Sequence, residues 1–279
     1  MRNVNGKVAV ITGAGSGIGA ALARQLAAAN ARLALSDVNA DGLAETAAAC
    51  ERAGAQVRSY ALDVADRAAV VEHADAVRAD FGAVNLMVNN AGVALVGALE
   101  ETSFEDLDWI LGINFHGVIN GSKAFLPHLI DSGDGHLVNI SSVFGLIGVP
   151  TQSAYCAAKF GVRGFTESLR QEMRIAKHPV GVTCVHPGGI RTNIARSARQ
   201  ADGYRPAVGQ DMGAAFDRIA RTTPDAAARR ILGAVRKNSA RVLIGFDAVA
   251  IDGMPRALGS RYQQLVTSAV RLGLRRPDR

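Results

Sequence analysis

KVAVITGAGSGIG, residues 7–19, joins an apolar run to a glycine-rich turn and then to a helical pattern. KVAVIT reads as a buried strand, and a helix is expected from about Ile18 to Ala29. The turn between them has the spacing GxxxGxG, through Gly13, Gly17 and Gly19. Glycine permits a tight turn and lets backbone approach a ligand closely. The helix start adds free N–H groups and a favourable dipole, which suit a pyrophosphate. Such a turn alone is explained by sterics. With the strand before it and the helix after it, it points to a dinucleotide.

Outward from this segment the alternation continues. RLALSD, QVRSYAL, NLMVNN, HLVNIS, GVTCVHP and RVLIGF read as six further strands. Helical patterns lie at about Ala40–Ala53, Asp66–Phe81, Phe104–Ile130, Ala154–Lys177 and Pro224–Lys237. Near-continuous apolar strands separated by crossover helices imply a parallel sheet covered on both faces. The expected class is α/β, a Rossmann-like doubly wound seven-stranded parallel sheet with helices on both faces. One catalytic domain is expected over 1–250, with a substrate loop at about 190–220. Residues 251–279 form a basic amphipathic C-terminal extension.

Composition removes several classes of function. The 279 residues are 48% apolar, which excludes global disorder. Cys50, Cys156 and Cys184 are odd in number and unrelated in spacing, so a reducing cytoplasm is expected, with no metal. The first strand starts too early for a cleaved leader, and no run approaches the ~18–20 apolar residues of a membrane span, so a soluble protein is expected. The net charge of +6 is concentrated at one end. Residues 256–279 hold six arginines and one aspartate, a net of +5, leaving about +1 elsewhere. With no basic stripe on the body, nucleic acid is not an expected partner.

Asp37 ends the second strand, 18 residues beyond Gly19. A carboxylate there accepts hydrogen bonds from adenosine ribose and repels a 2′-phosphate, favouring NAD over NADP. It could equally cap the helix that follows SDVNAD. In HLVNISSVFGLIGVPTQSAYCAAK, Tyr155 and Lys159 lie four residues apart on one helix face. A phenol with a pKa near 10 needs help to trade protons, and an adjacent ammonium favours the phenolate. A Ser142 hydroxyl could hold a substrate oxygen against it, giving a proton-transfer site for alcohol and carbonyl interconversion.

TGAGSGIG at 12–19, Asp63-Val64, Asn89-Asn90-Ala91-Gly92, Asn114, Ser142, Tyr155-x-x-x-Lys159 and PGGIRT at 187–192 together resemble the short-chain dehydrogenase/reductase family. The resemblance covers roughly the first 250 residues. It implies that Gly13, Ser16, Gly17, Ile18 and Gly19 form the pyrophosphate loop. Asp63 and Val64 would flank adenine, and Asn90, with Ala91 and Gly92, would meet the adenosine side and brace the sheet. Pro187, Gly188, Ile190 and Thr192 would lie at the carboxamide end. Tyr155 would be the general acid/base, Ser142 would orient the carbonyl, and Lys159 would also bond the nicotinamide ribose. Asn114 would hold a water linking Lys159 to solvent.

Substrate-facing candidates are Val93–Val96, Val143–Pro150, Gly188-Gly189 and the loop from Asn193 to Ile219. The first two groups are apolar, so a small apolar alcohol or ketone is expected. Arg196, Arg199 and Arg205 leave an anionic handle open. The expected activity is hydride transfer between NAD(H) and an apolar secondary alcohol or ketone. Alternatives are an NADPH-dependent ketone reductase and a non-catalytic dinucleotide sensor. In the tail, Tyr262, Leu265, Val266, Ala269 and Val270 form an apolar stripe at helical spacing. It suits a contact within a homo-oligomer, a dimer or tetramer, ahead of a peripheral membrane contact. The chemistry is not expected to need residues beyond about Gly253 directly.

Overall fold

The computed structural model describes residue 1, residues 3–204 and residues 220–274. The alternation seen in the sequence becomes β1 (Val8–Thr12), α1 (Gly17–Ala28), β2 (Arg32–Asp37), α2 (Ala40–Arg52), β3 (Val57–Ala61), α3 (Arg67–Phe81) and β4 (Leu86–Asn89). A short β5 (Leu95–Val96) and α4 (Phe104–Leu111) lead into α5 (Gly117–Asp131). Then come β6 (Gly135–Ile140), α6 (Ser153–Ile175), β7 (Val180–Pro187) and a short β8 (Arg199–Gln200). The described chain closes with α7 (Pro224–Lys237), β9 (Arg241–Ile244), α8 (Phe246–Leu258) and α9 (Tyr262–Leu274).

Seven strands form one parallel sheet in the order β3-β2-β1-β4-β6-β7-β9. Every residue of β1, β4 and β6 is buried, as a strand covered on both faces requires. Edge strand β3 is mostly exposed. One core cluster packs residues of α1, α2 and α7 on one face, and a second packs α3, α5 and α6 on the other. The sheet is therefore doubly wound. The order reverses between β1 and β4, so the crevice at their carboxyl ends is where such folds bind ligands. Among the described residues, no helix is long and apolar enough to cross a membrane.

Three details were not legible in the periodicity. The pattern from Phe104 to Ile130 is interrupted by a π turn at Gly112–His116, which holds Asn114. Leu95–Val96 and Arg199–Gln200 pair as a separate two-stranded parallel sheet. The stretch after β9 folds immediately into α8. Arg205 and Ile219 of the substrate loop, and the last three tail arginines, lie outside the described residues.

Candidate active site

The glycine turn is built against the segment that follows β4. Gly13 and Gly17 have φ of +65° and +54°, a region that L side chains rarely adopt. A Cβ on Gly13 would sit 2.7 Å from Ala91 Cα, and one on Gly19 would run into the Gly13 carbonyl. Thr12 Oγ1 accepts from the amides of Asn90 and Ala91, both at 3.1 Å. Asn90 Nδ2 donates to the carbonyls of Thr12 and Gly13 at 3.0 and 2.9 Å. The amide hydrogens of Asn90 are thus spent on the loop, so bracing is what its geometry delivers. Thr12 went unassigned in the sequence, although it stands directly before Gly13.

This turn fits a dinucleotide pyrophosphate. Ser16, the N-cap of α1, makes no side-chain bond to the first turn, which leaves amides facing the loop for an anion. Asp37 Oδ2 accepts from Gly15 N at 2.7 Å, and Oδ1 accepts from Asn39 N at 2.9 Å. The cap of α2 is Asn39, which accepts from Gly42 N, so the carboxylate of Asp37 serves the glycine turn instead. Val38 beside it is 72% exposed and carries no charge. A cleft of about 670 Å³ runs between Gly15–Gly17 and the 191–193 segment, with Arg24 and Arg191 on its walls. Tyr155 is not on its wall.

Asp63 is exposed, and its Oδ1 accepts from Ala65 N at 2.9 Å. Val64 is buried, and a Cβ on Gly117 would meet its side chain at 2.7 Å. Its side chain packs against the start of α5. Ile190 packs in the core cluster with α7. Thr192 does lie close to the turn, its Cγ2 being 3.1 Å from where a Gly17 Cβ would be. Pro187 ends β7, Gly188 N donates to Ile244 O at 2.9 Å, and Gly189 N donates to Asp247 Oδ2 at 2.6 Å.

The second half of the site lies where β6 gives way to α6. Ser141 Oγ donates to Lys159 O at 2.8 Å and is spent on the helix. Ser142 Oγ accepts from Phe144 N at 3.1 Å, and the Ser142 side chain acts to lower the pKa of the Tyr155 phenol. His186 Nδ1 lies 2.9 Å from Ser142 O, and burial holds this imidazole neutral with a pKa near 4, so Nδ1–H donates. Ser142 is thereby held from both sides. Tyr155 sits in the first turn of α6, one turn before Lys159. Lys159 is 4% exposed, and its Nζ donates to Ile140 O at 3.1 Å. Asn114 binds both polar groups of Val93, Oδ1 accepting from N at 2.9 Å and Nδ2 donating to O at 2.8 Å. A Cβ on Gly92 would lie 3.1 Å from Asn114 Oδ1 and 3.5 Å from Lys159 Nζ, so Asn114 and Lys159 flank that glycine.

The electrostatics differ from the sequence expectation. Burial pushes the Tyr155 phenol up to about 12, only partly offset by the Ser142 side chain. Burial pushes Lys159 down to about 8. Lys159 Nζ is 5.6 Å from the Tyr155 ring centroid, and desolvation is the largest influence on both groups.

The substrate-side list also narrows. Leu95, Val96, Val143, Leu146 and Ile147 are buried, whereas Val93, Phe144 and Val149 remain half-buried. Phe144 stands edge-on to Tyr155, with centroids 6.0 Å apart. Arg199 pairs with Asp106 at 2.9 Å and lies 3.9 Å over the Trp109 ring.

The comparisons with known proteins agree with this geometry. The short chain dehydrogenase family model matches residues 7–203. The oxidoreductase SadH of Mycobacterium tuberculosis is 57% identical over 271 residues, 97% of each chain. A short-chain dehydrogenase/reductase from Burkholderia phymatum, solved in complex with NAD, is 32% identical with a TM-score of 0.82, over 95% of this chain and 97% of that one. An alcohol dehydrogenase from Thermococcus sibiricus, complexed with 5-hydroxy-NADP, is 28% identical with a TM-score of 0.71, over 85% of this chain and 95% of that one. With its glycine turn, its doubly wound sheet and its Ser142, Tyr155 and Lys159 brought together, the chain belongs to the short-chain dehydrogenase family and is an NAD(P)-dependent oxidoreductase of CH–OH groups.

Proposed function

We propose that this enzyme interconverts an apolar secondary alcohol and its ketone, with NAD(H) preferred over NADP(H). The observation that carries the reading is the gathering of Ser142, Tyr155 and Lys159 where β6 gives way to α6, beside the aromatic edge of Phe144. The bound nicotinamide dinucleotide supplies the hydride chemistry. Tyr155 exchanges the hydroxyl proton with the substrate oxygen, and Ser142 orients that oxygen. A phenol near 12 is a poor base at neutral pH, so the step needs positive charge close by. Lys159, near 8, can supply it at little cost when an anion forms next to it. Asn114 holds the Val93 backbone beside Lys159, and Val93, Phe144 and Val149 give the substrate side its apolar character. Asp37 with uncharged Val38 supports the preference for NAD. The catalytic unit spans 1–250.

Assembly as a homo-oligomer belongs to the same proposal. Val266 and Val270 are half-buried, while Leu265 on the same stripe stays 56% exposed and suits a second copy. Absorbance at 340 nm with NAD across a panel of apolar secondary alcohols tests the activity. Turnover is expected, and NADP should be used at least tenfold less efficiently. No turnover of any alcohol or of the matching ketones would overturn the reading and leave a dinucleotide sensor.

A further inference from the structure

The chain that follows β9 reaches both banks of the candidate site. Its first helix, α8, packs against the Val143–Gly145 turn, and Asp247 in the first turn of α8 holds Gly189 N. At the start of α9, the Tyr262 hydroxyl accepts from Gly148 N at 3.1 Å, across 114 residues of chain.

Gly148 lies in a segment that needs restraint. The segment begins after Ser142 and ends at Ser153, where α6 starts and carries Tyr155 in its first turn. Within it, Thr151 has a φ of +64°, a conformation that is strained for a β-branched side chain. Strain of this kind persists only where surrounding contacts over-determine the backbone. One such contact is the Thr151 carbonyl, which accepts from Gly97 N at 3.1 Å. Another is the Tyr262 hydroxyl on Gly148.

From this geometry we infer that Tyr262 is a positioning and specificity-determining residue. Its hydroxyl fixes the 146–151 wall on the apolar substrate side. The inference rests on the proposed apolar alcohol reading and assigns the extension a role in that same site.

The test uses the full-length Tyr262→Phe variant, which removes the hydroxyl and keeps the ring. Residue-resolved hydrogen exchange should show a faster Gly148 amide, with amides of the β1–β4 region unchanged. With NAD, the KM for 2-decanol should rise about 3- to 10-fold, the range for loss of one hydrogen bond. The kcat, the KM for 2-butanol and NADH binding by fluorescence should stay within about twofold, well below a tenfold change. An unchanged Gly148 amide would overturn the contact. Equal losses for both alcohols, or unchanged discrimination between them, would overturn the positioning role. If the wild type turns over neither alcohol, the parent reading fails with these probes, and the Gly148 amide alone decides whether Tyr262 holds the wall.

Discussion

Lys159 Nζ lies 5.6 Å from the centroid of the Tyr155 ring and is hydrogen-bonded to Ile140 O. Each group is pushed towards its neutral form, the phenol to about 12 and the amine to about 8. At neutral pH the phenol is therefore neutral while the amine, with a pKa near 8, is still mostly protonated and can face an anion that forms beside it.

Replacing Tyr155 with Phe should abolish turnover while leaving NAD binding nearly intact. The glycine turn and Asp37 do not touch the phenol. Loss of a positioned acid/base costs about 10²- to 10⁴-fold in rate. A variant keeping more than half of wild-type kcat would remove Tyr155 from the role. Lys159→Ala should lower both rate and cofactor affinity.

The depressed pKa of Lys159 makes a stability prediction with a definite sign. Between about 8 and the ordinary 10.5 the unfolded chain holds this proton and the folded chain does not. Stability contributed by the group therefore rises with pH across that window, by on the order of 3 kcal/mol. In urea unfolding of the cofactor-free protein, wild type should gain on Lys159→Met as pH rises from 8 to 10.5. A pH-independent difference would show that Lys159 is not depressed.

Asp37 should set cofactor choice. A carboxylate about 4 Å from a 2′-phosphate costs up to about 4 kcal/mol at an effective dielectric of 20, and half of that exceeds tenfold. Asp37→Ala with Val38→Arg should shift the kcat/KM ratio towards NADP by tenfold or more. Because Gly15 N also loses its acceptor, NAD affinity should fall as well. Equal use of the two cofactors by the wild type would contradict this assignment.

Arg199 should act as a clasp for the 193–204 segment. It joins Asp106 and covers the face of Trp109, the one tryptophan of the sequence. Arg199→Ala should expose that ring and shift its fluorescence emission to the red. Limited proteolysis within the segment should accelerate. An unchanged spectrum would mean that other contacts hold the segment.

The sheet, its seven strands and the glycine turn were legible because each is a local pattern. Apolar runs mark buried strands, and a period near 3.6 marks their crossovers. Tyr155 and Lys159 were legible for the same reason, since a spacing of four is one helical turn. Other features depend on which distant segments meet. Arg199 finds Asp106 across 93 residues, Gly189 finds Asp247 across 58, and Gly148 finds Tyr262 across 114. No periodicity encodes such meetings, because the order of strands in the sheet brings them about. Burial is likewise collective. It turned Val64 and Ile190 into the core and reversed the expected shift of Tyr155, because desolvation depends on every atom packed around a group rather than on its neighbours in the chain.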